Sequence, residues 1–245
     1  MAGPLKLAKK YQADSLRERI VSYLETIWPT NLKDWDEVVH VTAKPNLSEK
    51  TSFEPPTDED SPTVDLCPDS APFIKLARES DVPKILATVF YTLCCDSKTR
   101  RRDLSCMTRE DLERFMLGKE RMTKFICRQA ALDHNLKPWE SARVHLCDID
   151  EQPTSKAYQL HVFKAWLDIV RDSIRSGDPL AIIRTKSLEC QRLTEDEFYA
   201  PNDVGQEQFC TPCGERMVII LEKIREELFS KLPFFFDLED RSLQE

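Results

Sequence analysis

Apolar residues recur at spacings of three and four along most of this chain, and runs that alternate apolar with polar are absent. That period predicts amphipathic helices. In "LKLAKKYQADSLRERIVSYLE" (Leu5 to Glu25), Leu5, Leu7, Ala8 and Tyr11 form the apolar side of a short helix, and Gln12-Ala13-Asp14 breaks it. Ser15 is then expected as the N-cap of a second helix, with Glu18 completing a capping box three residues on. Leu16, Ile20, Tyr23, Leu24 and Ile27 share one face of that helix. Trp28-Pro29 ends it, because a residue before proline is pushed out of the α region.

The same pattern returns further along. "IKLARESDVPKILATVFYTL" (Ile74 to Leu93) aligns without gaps on "LKLAKKYQADSLRERIVSYL" (Leu5 to Leu24). Lys6/Lys75, Leu7/Leu76, Ala8/Ala77 and Leu24/Leu93 are identical; Leu5/Ile74, Leu16/Ile85 and Ile20/Val89 are alike. The break falls in register, with Asp81 expected as a cap and Pro83 in the first turn, where its missing N–H costs nothing. Two such hairpins predict a repeated packing unit.

Three longer helices are predicted downstream. The first is capped by Thr108 with Asp111 and turns Leu112, Phe115, Met116, Met122 and Ile126 one way. The second carries Leu160, Phe163, Trp166, Leu167, Val170 and Ile174; Gly177 stops it, and Asp178-Pro179 starts another. The last places Met217, Ile220, Leu221, Ile224, Leu228 and Leu232 on one side. The expected fold is all-α, as stacked helical hairpins. Residues 40 to 72 interrupt the pattern, holding six of the fifteen prolines among seven acidic residues, and read as a disordered acidic linker. The expected division is a terminal hairpin and connector (1–39), the linker (40–72), a helical domain (73–236) and a tail (237–245).

Composition narrows the functional classes. The chain has 245 residues and a net charge of −8, which argues against nucleic acid as the main partner. Its one basic knot, Lys98-Thr99-Arg100-Arg101-Arg102, reads as a solvated loop, with a nuclear address or an acidic-partner contact as alternatives. Only five glycines occur, and no phosphate-cradling or nucleophile-elbow motif is present. No apolar run reaches the ~20 residues of a membrane span. Nine cysteines without a secretory leader fit a reducing compartment, so the expected location is intracellular, cytoplasmic or nuclear.

The opening hairpin, with its Leu-Ala-x-x-Tyr helix and following Leu-rich helix, resembles the final helical pair of a BTB (POZ) domain. "FIKLARESDVPKILATVFYTLCC" and "DLSCMTREDLERFMLGKERM" resemble the BACK-like helical region that follows BTB domains in fungal, especially basidiomycete, proteins. The late "FCTPCGERM" and "KLPFFFDL" are similar to the end of such proteins. The resemblance covers most of the chain without a BTB core of about a hundred residues ahead of it. It implies a non-enzymatic adaptor or scaffold with a protein partner, and leaves homo-oligomerisation open because BTB cores carry the dimer interface. Leu16, Ile20, Tyr23 and Leu24 are the expected partner-binding residues.

Cys210-Thr-Pro-Cys213 is the sharpest chemical motif. A CxxC supplies two tetrahedral zinc ligands, and His145 with Cys147 is the best available second pair, with Cys190 as a third option. A thiol redox role needs a βαβ framework that the helical pattern does not offer. The plain reading is buried structural cysteine; a structural zinc is the alternative, and no other cofactor is expected. His40, His134, His145 and His161 are isolated, and Asp148-Ile-Asp150 reads as turn chemistry. Cys94-Cys95 reads as core. Trp35 and Trp139 stand in polar surroundings, where core-edge packing competes with a partner-anchoring role.

Overall fold

The structure, a computed structural model, describes residues 7, 8, 10–42, 70–95, 104–131, 155–195 and 211–239. Of residues 40–42, 130, 131, 155–164, 193–195 and 211–213 only the backbone is described. After a helical stretch at residues 7, 8 and 10 come α1 (Asp14–Ile27), α2 (Leu32–Thr42) and α3 (Ser70–Glu79). A 3-10 turn (Pro83–Ile85) leads into α4 (Leu86–Cys95), followed by α5 (Arg109–Ala131) and α6 (Ser155–Ser176). Then come α7 (Pro179–Glu195), α8 (Thr211–Ser230) and α9 (Leu232–Phe235). No strand occurs among the described residues, so the fold class is all-α, as the apolar period predicts.

Both margins of the expected linker are helical, because α2 runs to Thr42 and α3 begins at Ser70. Pro72 is tolerated as the third residue of α3, where its missing N–H has no helical partner to lose. The rest of that segment lies outside the described residues.

The chain divides into two compact units: Met1–Leu93 with Thr99–Glu113 and Leu238–Glu245, and Cys94–Lys98 with Arg114–Asp237. In the first unit both hairpin breaks are built the same way. Gln12 and Asp81, which hold one place in the aligned stretches, are left-handed, with φ of 50° and 55°. The N–H of the next residue reaches back five residues in each case, Ala13 to Ala8 and Val82 to Ala77, both at 2.9 Å. Tyr11 and Ser80, one residue earlier, donate to Leu7 and Leu76 at 2.9 and 3.0 Å. This is the Schellman arrangement, closed by non-glycine residues.

That geometry corrects two expected caps. α1 begins at Asp14, its N-cap is Ala13, and no side chain caps it. The left-handed residue swings the Ala13 carbonyl into place to accept from Leu16 and Arg17, so the helix starts ahead of Ser15. Asp81 is likewise a left-handed linker; Val82 caps the 3-10 turn without a side-chain bond. The α5 cap is as expected: Asp111 N–H donates to Thr108 Oγ1 at 3.2 Å, and the hydroxyl donates to Asp111 Oδ2 at 3.0 Å. Arg78 adds Nε and Nη2 donors to Asp111 Oδ1 at 2.7 and 2.6 Å. Asn31 makes a further cap at the start of α2, its Oδ1 accepting from the Asp34 N–H at 2.9 Å.

In the second unit α7 packs between α6 and α8. Gly177 ends α6 at φ 75°, and Asp178 Oδ1 caps α7 by accepting from Ala181 N–H at 3.0 Å, as expected. The α6 face differs from expectation: Trp166, Ile169 and Ser173 are buried, whereas Leu167 and Ile174 point outward. Met116 on α5 is also outward. The buried face of α8 holds Met217, Leu221, Ile224 and Leu228, as the pattern predicts; Ile220 is half-buried, and Leu232, expected on the same helix, is buried in the separate α9. α9 and its exit pack on α5 through a close approach, since a Cβ on Gly118 would stand 2.1 Å from Phe236 Cδ1. Arg121 Nη1 donates to the Phe234 and Phe235 carbonyls at 2.9 and 3.1 Å.

Two stability predictions result. Gly118→Ala, normally favourable inside a helix, is expected to lower stability by about 1–3 kcal/mol because Phe236 has to move; an unchanged or raised urea midpoint contradicts this. Asp111→Ala is expected to cost about 2 kcal/mol, because the buried carboxylate that accepts from the Thr108 hydroxyl and from Arg78 is lost while the backbone cap to Thr108 remains. Asp111→Asn keeps the capping geometry and should recover about half, both read from urea melts.

Candidate interaction surface

α1 is held to the second hairpin by polar contacts at its start and by packing at its end. Arg17 Nη2 donates to the carbonyls of Ser80 and Asp81 at 3.3 and 3.0 Å. Those carbonyls belong to the left-handed break, where no helical N–H follows to use them. Beyond the C-terminus of α1, Trp28 is fully buried, its ring 4.3 Å from that of Phe73, and the Thr88 hydroxyl donates to Pro29 O at 2.7 Å. Lys84 and Glu25 stand 3.8 Å apart at the surface, a pair that contributes little.

This packing decides which expected partner-binding residues are available. Leu24 has 0% exposure and lies in the interior of the first unit, so it is removed from the candidate surface. Leu16 and Tyr23 are exposed at 42% and 50%, and Ile20 is half-buried. Spaced by four and three, they form a stripe roughly a quarter turn round the helix from Leu24. Leu7 and Tyr11, just ahead of α1, are exposed as well. In the second hairpin the matching residues Ile85, Val89 and Thr92 are all buried. Equivalent positions thus carry an open apolar stripe in one hairpin and interior packing in the other.

The chemical candidates separate similarly. Cys147, His145 and Cys210 lie outside the described residues; Cys213 is in the first turn of α8, its side chain outside them. The zinc expectation therefore falls on undescribed groups. Among the described residues no cluster of three His, Cys, Asp or Glu could hold a metal ion. The side chains of His40, His134 and His161, together with Asp148, Asp150 and Trp139, are also outside. Trp35 is buried edge-on against Tyr91 with centroids 5.5 Å apart, which makes it a packing residue and not an exposed anchor.

Cys94 is buried, as expected of core, and desolvation pushes its thiol up to about 12. Burial, followed by the Glu189 charge, raises Cys190 on α7. Both are poor nucleophiles, because the thiolate is the reactive form. The indoles of Trp28 and Trp166 and the hydroxyls of Ser70, Ser80, Ser173 and Ser187 are enclosed without a hydrogen-bond partner among the described residues. Being sealed from solvent, none is placed to meet a substrate. Of the residues expected to meet a partner, Leu16 and Tyr23 are exposed on α1.

No family model, no curated protein and no solved structure matches this chain. No described helix is long and apolar enough to cross a membrane.

A thiol reagent at pH 8 is expected to leave Cys94 and Cys190 unmodified in the native chain and to reach them on unfolding, while exposed Cys127 is labelled in the native chain. Rapid native labelling of Cys94 contradicts the burial. The raised Cys94 pKa also contributes stability that is complete below its ordinary 9.0 and is lost as pH climbs towards about 12. Alkaline melts should show a smaller loss in Cys94→Ala.

Proposed function

We propose that this chain is a non-enzymatic adaptor or scaffold that binds a protein partner inside the cell, working in the manner of the helical region following a BTB domain. The observation that carries the reading is the stripe of exposed Leu16 and Tyr23 with half-buried Ile20, on a helix held near its start by Arg17 and beyond its end by Trp28. Apolar side chains on a rigid helix bind a partner without first paying for ordering, and an exposed row at helical spacing fits a helical or grooved surface. The sequence resemblance points to the same class of role, as an association at the level of family.

Deleting the opening residues would strip the cover from Trp28, Phe73 and Thr88 and damage the fold, so point variants are the proper test. Leu16→Asp with Tyr23→Asp should leave the melting temperature within about 2 °C of the parent, since both side chains are already solvated. The pair should abolish retention of whichever protein the parent chain holds in a crosslinking capture. Equal retention by parent and variant removes the stripe from the account.

A further inference from the structure

α1 rests on a defined seat in the second hairpin. Arg17 Nη2 donates to the Ser80 and Asp81 carbonyls, and α1 packs on the 3-10 turn that ends at Ile85. Lys84 stands near Glu25, and the Thr88 hydroxyl donates to Pro29 O just beyond the helix. In the aligned first hairpin the places of Ser80, Asp81, Lys84, Ile85 and Thr88 are taken by Tyr11, Gln12, Ser15, Leu16 and Arg19. All of these are exposed. The first hairpin thus carries a second seat, which the described residues leave open.

The two seats share their backbone. Gln12 and Asp81 are left-handed at φ of 50° and 55°, and the same back-reaching N–H bonds close both breaks. Such an end turns its last carbonyls out of the helical pattern, so their donors must come from elsewhere. At the second hairpin Arg17 supplies them. At the first, no described residue donates to the Tyr11 or Gln12 carbonyl. Carbonyls at a helix C-terminus carry partial negative charge, which a guanidinium complements. A second copy of this chain does not fit as the donor, because its Arg17 is engaged on its own second hairpin and its Leu24 is buried. Nor does the second hairpin offer a substitute: the residue aligned with Arg17 is Leu86, which is buried.

We infer that the seat of Tyr11, Gln12, Ser15, Leu16 and Arg19 takes an amphipathic helix of another protein, one that presents an arginine to the Tyr11 and Gln12 carbonyls. That helix carries apolar residues on the arginine's own side, as Leu24 lies two turns on from Arg17. The inference rests on the adaptor reading and names the chemistry of its partner, since Leu16 belongs to both the seat and the stripe. The carbonyls fix where the incoming helix starts. Leu16, Ile20 and Tyr23 then supply the apolar contact along it.

The probe is a labelled synthetic peptide of residues 13–30, which carries Arg17 and Leu24 unengaged. It is titrated onto the full-length native chain by fluorescence anisotropy, and crosslinking with mass spectrometry locates it. The expected result is saturable binding with crosslinks to residues 11–23. Arg17→Gln in the peptide should weaken binding about tenfold or more, and Leu16→Asp in the chain should do the same. Crosslinks confined to residues 80–88 mean that the peptide has displaced α1, and overturn the proposal. So do absence of binding, equal binding by the Arg17→Gln peptide, or a dimer of the native chain that Leu16→Asp dissolves, which assigns the seat to a second copy. Capture of a partner that is lost in Leu16→Asp with Tyr23→Asp, without peptide binding, leaves the adaptor reading in place and removes only the arginine-bearing helix. Peptide binding with capture unchanged removes the adaptor reading instead.

Discussion

The guanidinium of Arg17, seated on the two carbonyls that the left-handed turn at Asp81 leaves outside any helix, is the contact on which the arrangement of the first unit depends. A helix that ends in a left-handed residue stops within one residue and turns its last carbonyls out of the helical bonding pattern. Those acceptors need donors. An arginine fork from another helix supplies them and at once fixes where that helix lies. With its start held there and Trp28 set against Phe73 beyond its end, α1 has little freedom to roll. Leu24 is thereby committed inward, and Leu16 and Tyr23 outward.

Similar hairpins serve unlike purposes in this unit. Ala8 and Ala77, like Leu24 and Leu93, are buried at equivalent positions, where the hairpins need the same small or branched residue. Elsewhere the copies part: Ile85 and Val89 are interior, Leu16 and Ile20 are not enclosed to that degree. At these positions the second stretch is interior and the first is partly exposed. A helix whose outer side remains apolar is the physical basis of the adaptor reading.

How far the sequence reveals this depends on the kind of signal. Helix existence, the Gly177 stop, the Thr108–Asp111 cap and the Trp28-Pro29 end are written in local chemistry and are all present. The breaks at Gln12 and Asp81 are not, because a left-handed C-terminus usually announces itself with glycine. Ser15 and Asp81 are good capping residues by type, but the backbone geometry at each break leaves them no capping role. On α6 the buried row includes Ser173, a polar residue, so apolarity alone points to Leu167 and Ile174 rather than to Ile169. Gly118 did carry a signal, as one of five glycines placed inside a strong helical pattern, and close approach of Phe236 is its cause. For the candidate surface, an apolar arc spanning Leu16 to Leu24 is wider than one contact can cover. Only tertiary packing divides it into an inner and an outer part.

Native-state hydrogen exchange resolved along the chain tests most directly whether α1 is an integral cover of the second hairpin. If Arg17 and Trp28 bind it as described, amides of α1 and α4 open together, with protection free energies agreeing within about 1 kcal/mol. Near-complete exchange of α1 while α4 stays protected would show a loosely attached helix, and would contradict the account.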